Sequence, residues 1–352
     1  MSPADALPRR TREVRLVARP RGLPRPDDFA LVEAPLPAPR DGEIVVHNEW
    51  ISLDPSQRIR MHEASTGYMP PFPLDRAPTG WAIGRVIASR AAGFEVGDAA
   101  LHAMGWTEHA VVDTTMERPP ARVEVDAETP ARWYLGPLGW SALTSYVGLF
   151  DVAGLRDGDV VFVSGAAGGV GSLVVQLAKA AGHRVIGSVG SAAKAAYVRE
   201  ELGADEAFCY RDGPVGELLP AAAPDGIDVY FDNVGGDHLE AALEALRPHG
   251  RVALCGAISS YNATGAVPGI ANLFNATGKG LTLRGFLARM YEHRMDDFRR
   301  DMRARLAAGT ISYPETVVAG LERLPAGFIE MLSGGNVGKM IVRVRPEGER
   351  AA

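Results

Sequence analysis

The chain has 352 residues, of which 46% are hydrophobic and 23% charged, and its formal net charge is −6. This is the balance of a soluble globular protein of two domains with a large core, and the acidic excess argues against a general attraction to phosphate backbones or anionic lipid. Two cysteines, Cys209 and Cys255, are too few for a disulfide framework or a cysteine-rich zinc lobe.

Met1 to Gly22 carries six arginines but no apolar run that could serve as a signal-peptide core. No later stretch approaches the ~18 apolar residues of a membrane span. The cytoplasm is therefore the expected setting and a small molecule the expected partner, with no nucleic acid and no membrane. From residue 13 to 130 the sequence is rich in Pro, Gly and short apolar runs, such as Glu43 to Ile51 and Ala82 to Ala88, which predict the short strands of a β-rich domain. His102 and His109, with Glu108 between them, supply too few ligands for a metal site, so local hydrogen bonding is expected of them.

At Trp133 the pattern changes to alternating strand and helix signals. Strands are predicted at Val160–Val163, Arg184–Ser188, Ala207–Tyr210, Val229–Asn233, Arg251–Cys255 and Leu281–Phe286, with helices between the first five. That alternation predicts βαβ units and a doubly wound parallel sheet. A charged amphipathic helix follows, Arg289 to Ala308, and a last strand, Gly338 to Val344, is expected to return to the first domain.

The first of the parallel strands runs into Gly165-Ala-Ala-Gly-Gly-Val-Gly171. Glycines there let the main chain approach a pyrophosphate, whose charge meets unpaired N–H groups at a helix N-terminus. The second strand ends in Ser188-Val-Gly-Ser-Ala-Ala-Lys194, with no carboxylate to accept ribose hydroxyls. The Ser191 hydroxyl and the Lys194 ammonium suit a 2′-phosphate, and NADP(H) is preferred over NAD(H); the plainer alternative is that Lys194 is a solvated helix residue. Asn233, and later Tyr261, come at the ends of the fourth and fifth strands, the edge at which ligands of such sheets bind.

Six segments carry a resemblance to a known family: Ser52-Leu-Asp-Pro55, Leu138 to Tyr146, Val163 to Gly171, Tyr230-Phe-Asp-Asn-Val-Gly-Gly236, Cys255-Gly-Ala-Ile-Ser-Ser-Tyr-Asn262 and Gly335-Asn-Val-Gly-Lys339. Together they resemble the zinc-independent branch of the medium-chain dehydrogenase/reductases, in the group of leukotriene B4 12-hydroxydehydrogenase/prostaglandin reductases, alkenal double-bond reductases and curcumin reductase. The resemblance implies a GroES-like β-rich catalytic domain over 1–130 and 301–352 and a Rossmann domain over 131–300. It also implies NADPH-dependent reduction of the C=C bond of an enone or enal.

Carried over by position, Ala167, Gly168, Gly169, Val170 and Gly171 hold the pyrophosphate, and Lys194 and Tyr210 flank the 2′-phosphate. Asn233, the run Cys255, Gly256, Ala257, Ile258, Ser259 and Tyr261, then Phe286, Leu287, Ala288 and Asn336 hold the rest of the cofactor. No metal is implied, because the segment where zinc-dependent relatives carry Gly-His-Glu reads Gly80-Trp-Ala-Ile-Gly84. Tyr261 is the expected donor to an enolate oxygen, against the simpler reading of a packed aromatic with a backbone partner. One departure stands out: the family's Asp-Pro-Tyr-Met-Arg is Asp54-Pro-Ser-Gln-Arg58 here. Ser56 thus replaces a tyrosine of the substrate cleft, while Tyr68 and Phe274 could supply apolar walls. The resemblance implies a homodimer joined through the Leu281–Phe286 strand. A quinone reductase of the same superfamily, an alcohol dehydrogenase and a non-catalytic NADPH-binding protein are the alternative readings.

Overall fold

The computed structural model describes residues 7–63 and 69–345. The chain divides into two compact units, one drawn from Met1–Leu135, Thr316–Asn336 and Met340–Ala352, the other from Gly136–Glu315 and Val337–Lys339.

The first unit opens with an antiparallel ribbon of β1 (Arg10–Leu16) and β2 (Phe29–Pro35). A longer strand, β3 (Glu43–Ser52), is followed by the short helix α1 (Ser56–Ile59) and by β4 (Ala82–Ser89), β5 (Ala99–His102), β6 (His109–Asp113) and β7 (Ala121–Val123). Period-2 side-chain alternation lets β3 to β7 bury apolar residues on opposite faces of a second sheet, separate from the β1–β2 ribbon. Val14, Leu16, Ile51 and Trp106 fill one core, Ile44, Val46, Val86 and Val112 another. Burying each such side chain contributes roughly 1.5–3 kcal/mol.

The second unit begins with α2 (Trp140–Val147) and proceeds through β8 (Val160–Ser164), α3 (Gly171–Ala180), β9 (Arg184–Val189), α4 (Ala192–Glu200), β10 (Glu206–Cys209), α5 (Val215–Ala222), β11 (Ile227–Asp232), α6 (Gly236–Ala245) and β12 (Leu246–Leu254). After α7 (Asn275–Lys279) come β13 (Thr282–Gly285) and α8 (Met295–Ala307). The six strands form one parallel sheet in the order β10-β9-β8-β11-β12-β13. This is the Rossmann-type doubly wound order, and it reverses direction between β8 and β11, where ligands of this fold bind. The chain then adds β14 (Glu315–Ala319), α9 (Leu324–Leu332) and β15 (Lys339–Arg343), and β15 pairs antiparallel with β3, so the last strand does return to the first sheet.

Two differences from the sequence reading have local causes. The expected helix over 289–308 is broken, because Tyr291 leaves helical angles at φ −117 and ψ 21; a 3₁₀ stretch, Ala288–Arg294, precedes α8. The fifth parallel strand starts at Leu246, ahead of the expected Arg251, but its pairing with β11 slips between Ile227 and Val229. Regular pairing resumes only at Arg251, after Pro248 and after His249, which has a positive φ of 66.

Candidate functional site

The carboxyl edge of the parallel sheet is built from four turns, each following a strand. In the first, Ala166 N–H donates to Ser188 C=O and Gly168 N–H to Gly165 C=O, which folds 165–170 into a compact turn before α3. The N–H groups of Ala167 and Val170 carry no hydrogen bond among those of the described residues, leaving two donors close to a helix N-terminus. Glycine is obligatory at Gly171, where a Cβ would lie 2.3 Å from Gly165 O. The turn therefore suits a pyrophosphate: its glycines let an anion approach the backbone, and its open donors sit close to a helix N-terminus.

The sequence reading did not assign the clamp behind this turn. Gly338 N–H donates to Ala167 C=O at 2.8 Å, and Gly168 and Gly338 form a parallel bridge. Gly338 has φ +66 and a Cβ there would lie 2.0 Å from Pro314 O, so only glycine is accommodated. Lys339, 3% exposed, packs its stem against Gly169. The Gly335–Lys339 motif carried this signal in the sequence, but nothing local says which turn it would meet.

In the second turn Ser191 caps α4, its Oγ accepting from Lys194 N–H at 3.3 Å. Tyr210 follows β10, its N–H donating to Val189 C=O and its hydroxyl lying 3.1 Å from the Cβ position of Gly190. Ser191, Lys194 and Tyr210 are thus brought to one place. Burial, and next the charge of Arg211, push the Lys194 ammonium below its ordinary pKa.

The third turn is held by Asp232, 1% exposed. Its carboxylate accepts from Val234 N–H (3.0 Å), Gly235 N–H (2.7 Å) and the Tyr230 hydroxyl (2.7 Å). Burial holds its pKa above the ordinary carboxylate value, and these donors only partly offset the rise. Asn233 ties β11 to β8: its backbone N–H donates to Ser164 Oγ at 3.0 Å and its side-chain amide to Ser164 C=O at 2.8 Å. Asn233 is held at the switch point, as its position at the strand end suggests.

The fourth turn runs from Cys255 to Tyr261. Cys255 and Gly256 N–H groups both donate to Asp232 C=O, and Ser259 Oγ donates to Val234 C=O at 2.6 Å, locking the third and fourth turns together. The Cys255 thiol is pushed up to about 12 by burial and then by Asp232, so it is no nucleophile. Tyr261 reaches back so that its hydroxyl oxygen accepts from Ala257 N–H at 3.3 Å and lies 3.0 Å from the Cβ position of Gly256. The hydroxyl oxygen thus has the backbone partner of a packed aromatic.

The remaining expected residues are more scattered. Phe286 is buried with its ring against Phe231, at 84°, before Leu287 and Ala288. Phe274 is 79% exposed just before α7. Ser56 begins α1 and Asn336 follows α9, both in the β-rich unit. Tyr68 lies outside the described residues. His102 is buried, bonded to Asn48 and accepting from Met104 N–H. His109 packs against His47, ring centroids 4.9 Å apart. Among the described residues no three of His, Cys, Asp and Glu are placed to hold a metal ion.

Comparison with known proteins agrees with this geometry. Residues 12–118 match a family model described as the N-terminal domain of oxidoreductase, and 169–306 one described as zinc-binding dehydrogenase. The chain is 35% identical to the NADPH-dependent curcumin reductase of Escherichia coli over 340 residues, covering 95% of this chain and 97% of that one. The chain belongs to the zinc-independent medium-chain dehydrogenase/reductases. Within this family it is also 35% identical to the NADP(+)-dependent 2-alkenal reductase of Nicotiana tabacum, covering 93% and 95% of the two chains. The crystal structure of CurA from Vibrio vulnificus in complex with NADPH superposes with a TM-score of 0.89 at 36% identity, covering 95% of this chain and 99% of that one.

Proposed function

We propose that this protein reduces the carbon–carbon double bond of α,β-unsaturated ketones or aldehydes with NADPH, and the observation that carries the reading is the Tyr261 phenol set at the carboxyl end of β12. Relatives at this level of identity are named for NADPH-dependent reduction of curcumin and of 2-alkenals. When bound, NADPH supplies the hydride that adds to the β-carbon.

The chain's own residues do the rest. The 167–171 turn, with the N–H groups of Ala167 and Val170, holds the pyrophosphate, and Lys194, Tyr210 and Ser191 take the 2′-phosphate end. Asn233, the backbone of 255–261, residues 286–288 and Asn336 hold the remainder. As charge moves onto the substrate carbonyl oxygen, the Tyr261 hydroxyl hydrogen-bonds to it and stabilises the enolate, which then takes up a proton from solvent at the α-carbon to give the saturated ketone or aldehyde. The Ala257 N–H on the phenol oxygen fixes that group's direction, so little reorganisation is needed as charge develops. Ser56, in place of a tyrosine, makes its part of the substrate cleft smaller-walled and more polar, with Phe274 and Tyr68 as apolar contributors. We place the protein in the cytoplasm as a homodimer. β13 has one strand neighbour in its sheet, and such an edge needs covering.

The test is NADPH oxidation against a linear enal, an aryl enone, a quinone and a saturated ketone, with NADH as control. Turnover of enal and enone, with poor use of NADH, supports the reading. The Tyr261→Phe variant should lose about 10²-fold in kcat on enones while binding NADPH as before. Turnover of the quinone alone, or an enone rate unchanged in Tyr261→Phe, counts against it.

A further inference from the structure

Arg211 follows Tyr210 directly and has no role in the site as built so far. Its position is set by the sheet. Cys209 pairs with Val189, Tyr210 N–H continues the ladder to Val189 C=O, and Asp212 N–H closes a turn onto Cys209 C=O at 3.0 Å. Tyr210, the neighbour of Arg211 in the chain, is thereby set against Gly190, its hydroxyl 3.1 Å from the Cβ position there, next to the Ser191 cap of α4. Its guanidinium carbon is 5.9 Å from the Tyr210 ring centroid, within range of a cation–π contact.

Tyr210 is itself braced from the other side. The ring of His238, from the first turn of α6, meets it edge-on at 5.4 Å and 78°, and His238 Nε2 is 2.8 Å from Ser188 Oγ. His238 is buried, and burial lowers its pKa to about 4, so it braces Tyr210 as a neutral ring. Tyr210 is 39% exposed and Arg211 is exposed, so the platform and its cation face solvent.

Two cations thus lie close enough for one to depress the other's pKa, and among the described residues Arg211 forms no salt bridge with a carboxylate. Like charges held together are unfavourable until an anion joins them. A phosphate dianion does so, and a guanidinium binds it with two parallel N–H donors where an ammonium offers a point charge. An arginine after the second or third strand of a Rossmann sheet is well placed for a 2′-phosphate.

We propose that Arg211 is a second cation for the 2′-phosphate, acting with Lys194 across the carboxyl ends of β9 and β10, and that it sets the preference for NADPH over NADH. The inference rests on the NADPH reading above.

Calorimetric titration of the full-length protein with 2′,5′-ADP and with 5′-ADP separates the two. Wild type should bind 2′,5′-ADP more tightly than 5′-ADP. Arg211→Ala should weaken 2′,5′-ADP binding about tenfold or more and leave 5′-ADP unchanged. Arg211→Lys should recover part of the loss, and the salt dependence of 2′,5′-ADP binding should become shallower in Arg211→Ala. If wild type discriminates and Lys194→Ala loses that discrimination while Arg211→Ala keeps it, the role of Arg211 is overturned and the NADPH reading stands. If Arg211→Ala weakens both ligands alike, its effect is structural and the proposal also fails. Equal affinity of wild type for the two ligands would overturn both readings.

Discussion

The edge of the parallel sheet and the β3–β6 strand pair both bury polar side chains, but they satisfy them by different means. Around Asp232 every donor in reach is directed at the carboxylate: two backbone N–H groups and the Tyr230 hydroxyl, itself 3.0 Å from Ser164 Oγ. On β3 and β6, His47 and His109 face each other in register, yet His47 Nε2 and His109 Nδ1 are buried without hydrogen-bond partners. Parallel strands ending in tight turns present free backbone amides to a charge, whereas antiparallel strands spend theirs on each other. One region can therefore hold charge, and eventually a charged ligand. The other keeps its histidines by leaving them neutral.

The comparison breaks most sharply at Gly171. A Cβ at that position overlaps Gly165 O and must open the turn. Gly171→Ala should abolish measurable NADPH binding by fluorescence titration; binding within a few-fold of wild type would show that the turn is not rigid. Next comes the carboxylate cluster. Asp232→Ala takes the acceptor from the Val234 and Gly235 amides and leaves the Tyr230 hydroxyl with Ser164 Oγ alone, and should cost about 3 kcal/mol in urea unfolding. A loss well below that would mean the turns are held by Ser259 and Asn233 without it.

Acid sharpens the other side of the comparison. Burial lowers His102 to about 3 and His109 to about 4 from 6.5. His102 Nδ1 also accepts from Met104 N–H, a bond that protonation removes. With folded-state values below the unfolded one, the unfolded chain takes up protons first. The stabilisation is intact above about pH 6.5 and is lost as pH falls towards 4, on the order of a few kcal/mol in all. His102→Asn should flatten the fall in unfolding free energy between pH 6.5 and 4; an unchanged slope would place the titrating groups elsewhere.

Much of the parallel sheet was legible because its information is local. Apolar runs, glycine turns and helix starts occur within a few residues of one another, and the Val163–Gly171 segment reads as strand, turn and helix in order. The pairing of Gly338 with Ala167 was not legible, because the two are far apart in sequence and no local pattern names a partner. Arg211 and His238 were missed for a related reason: each reads as an ordinary turn or helix residue until the register of β9 with β10 sets Tyr210 beside Gly190 and the fold brings His238, on α6, to the Tyr210 ring. Ser191 was legible as a polar group after the second parallel strand, and the structure shows it capping α4. In the β-rich unit β14 and α9 escaped the reading, since a short strand half-exposed along its length has little periodicity to show.

The account turns on which bond is reduced, and the most direct measurement follows the label. With NADPH deuterated at the transferable position of the nicotinamide and an aryl enone as substrate, NMR of the product should show a saturated ketone carrying deuterium on the carbon β to the carbonyl. Deuterium on the former carbonyl carbon of an allylic alcohol would contradict it.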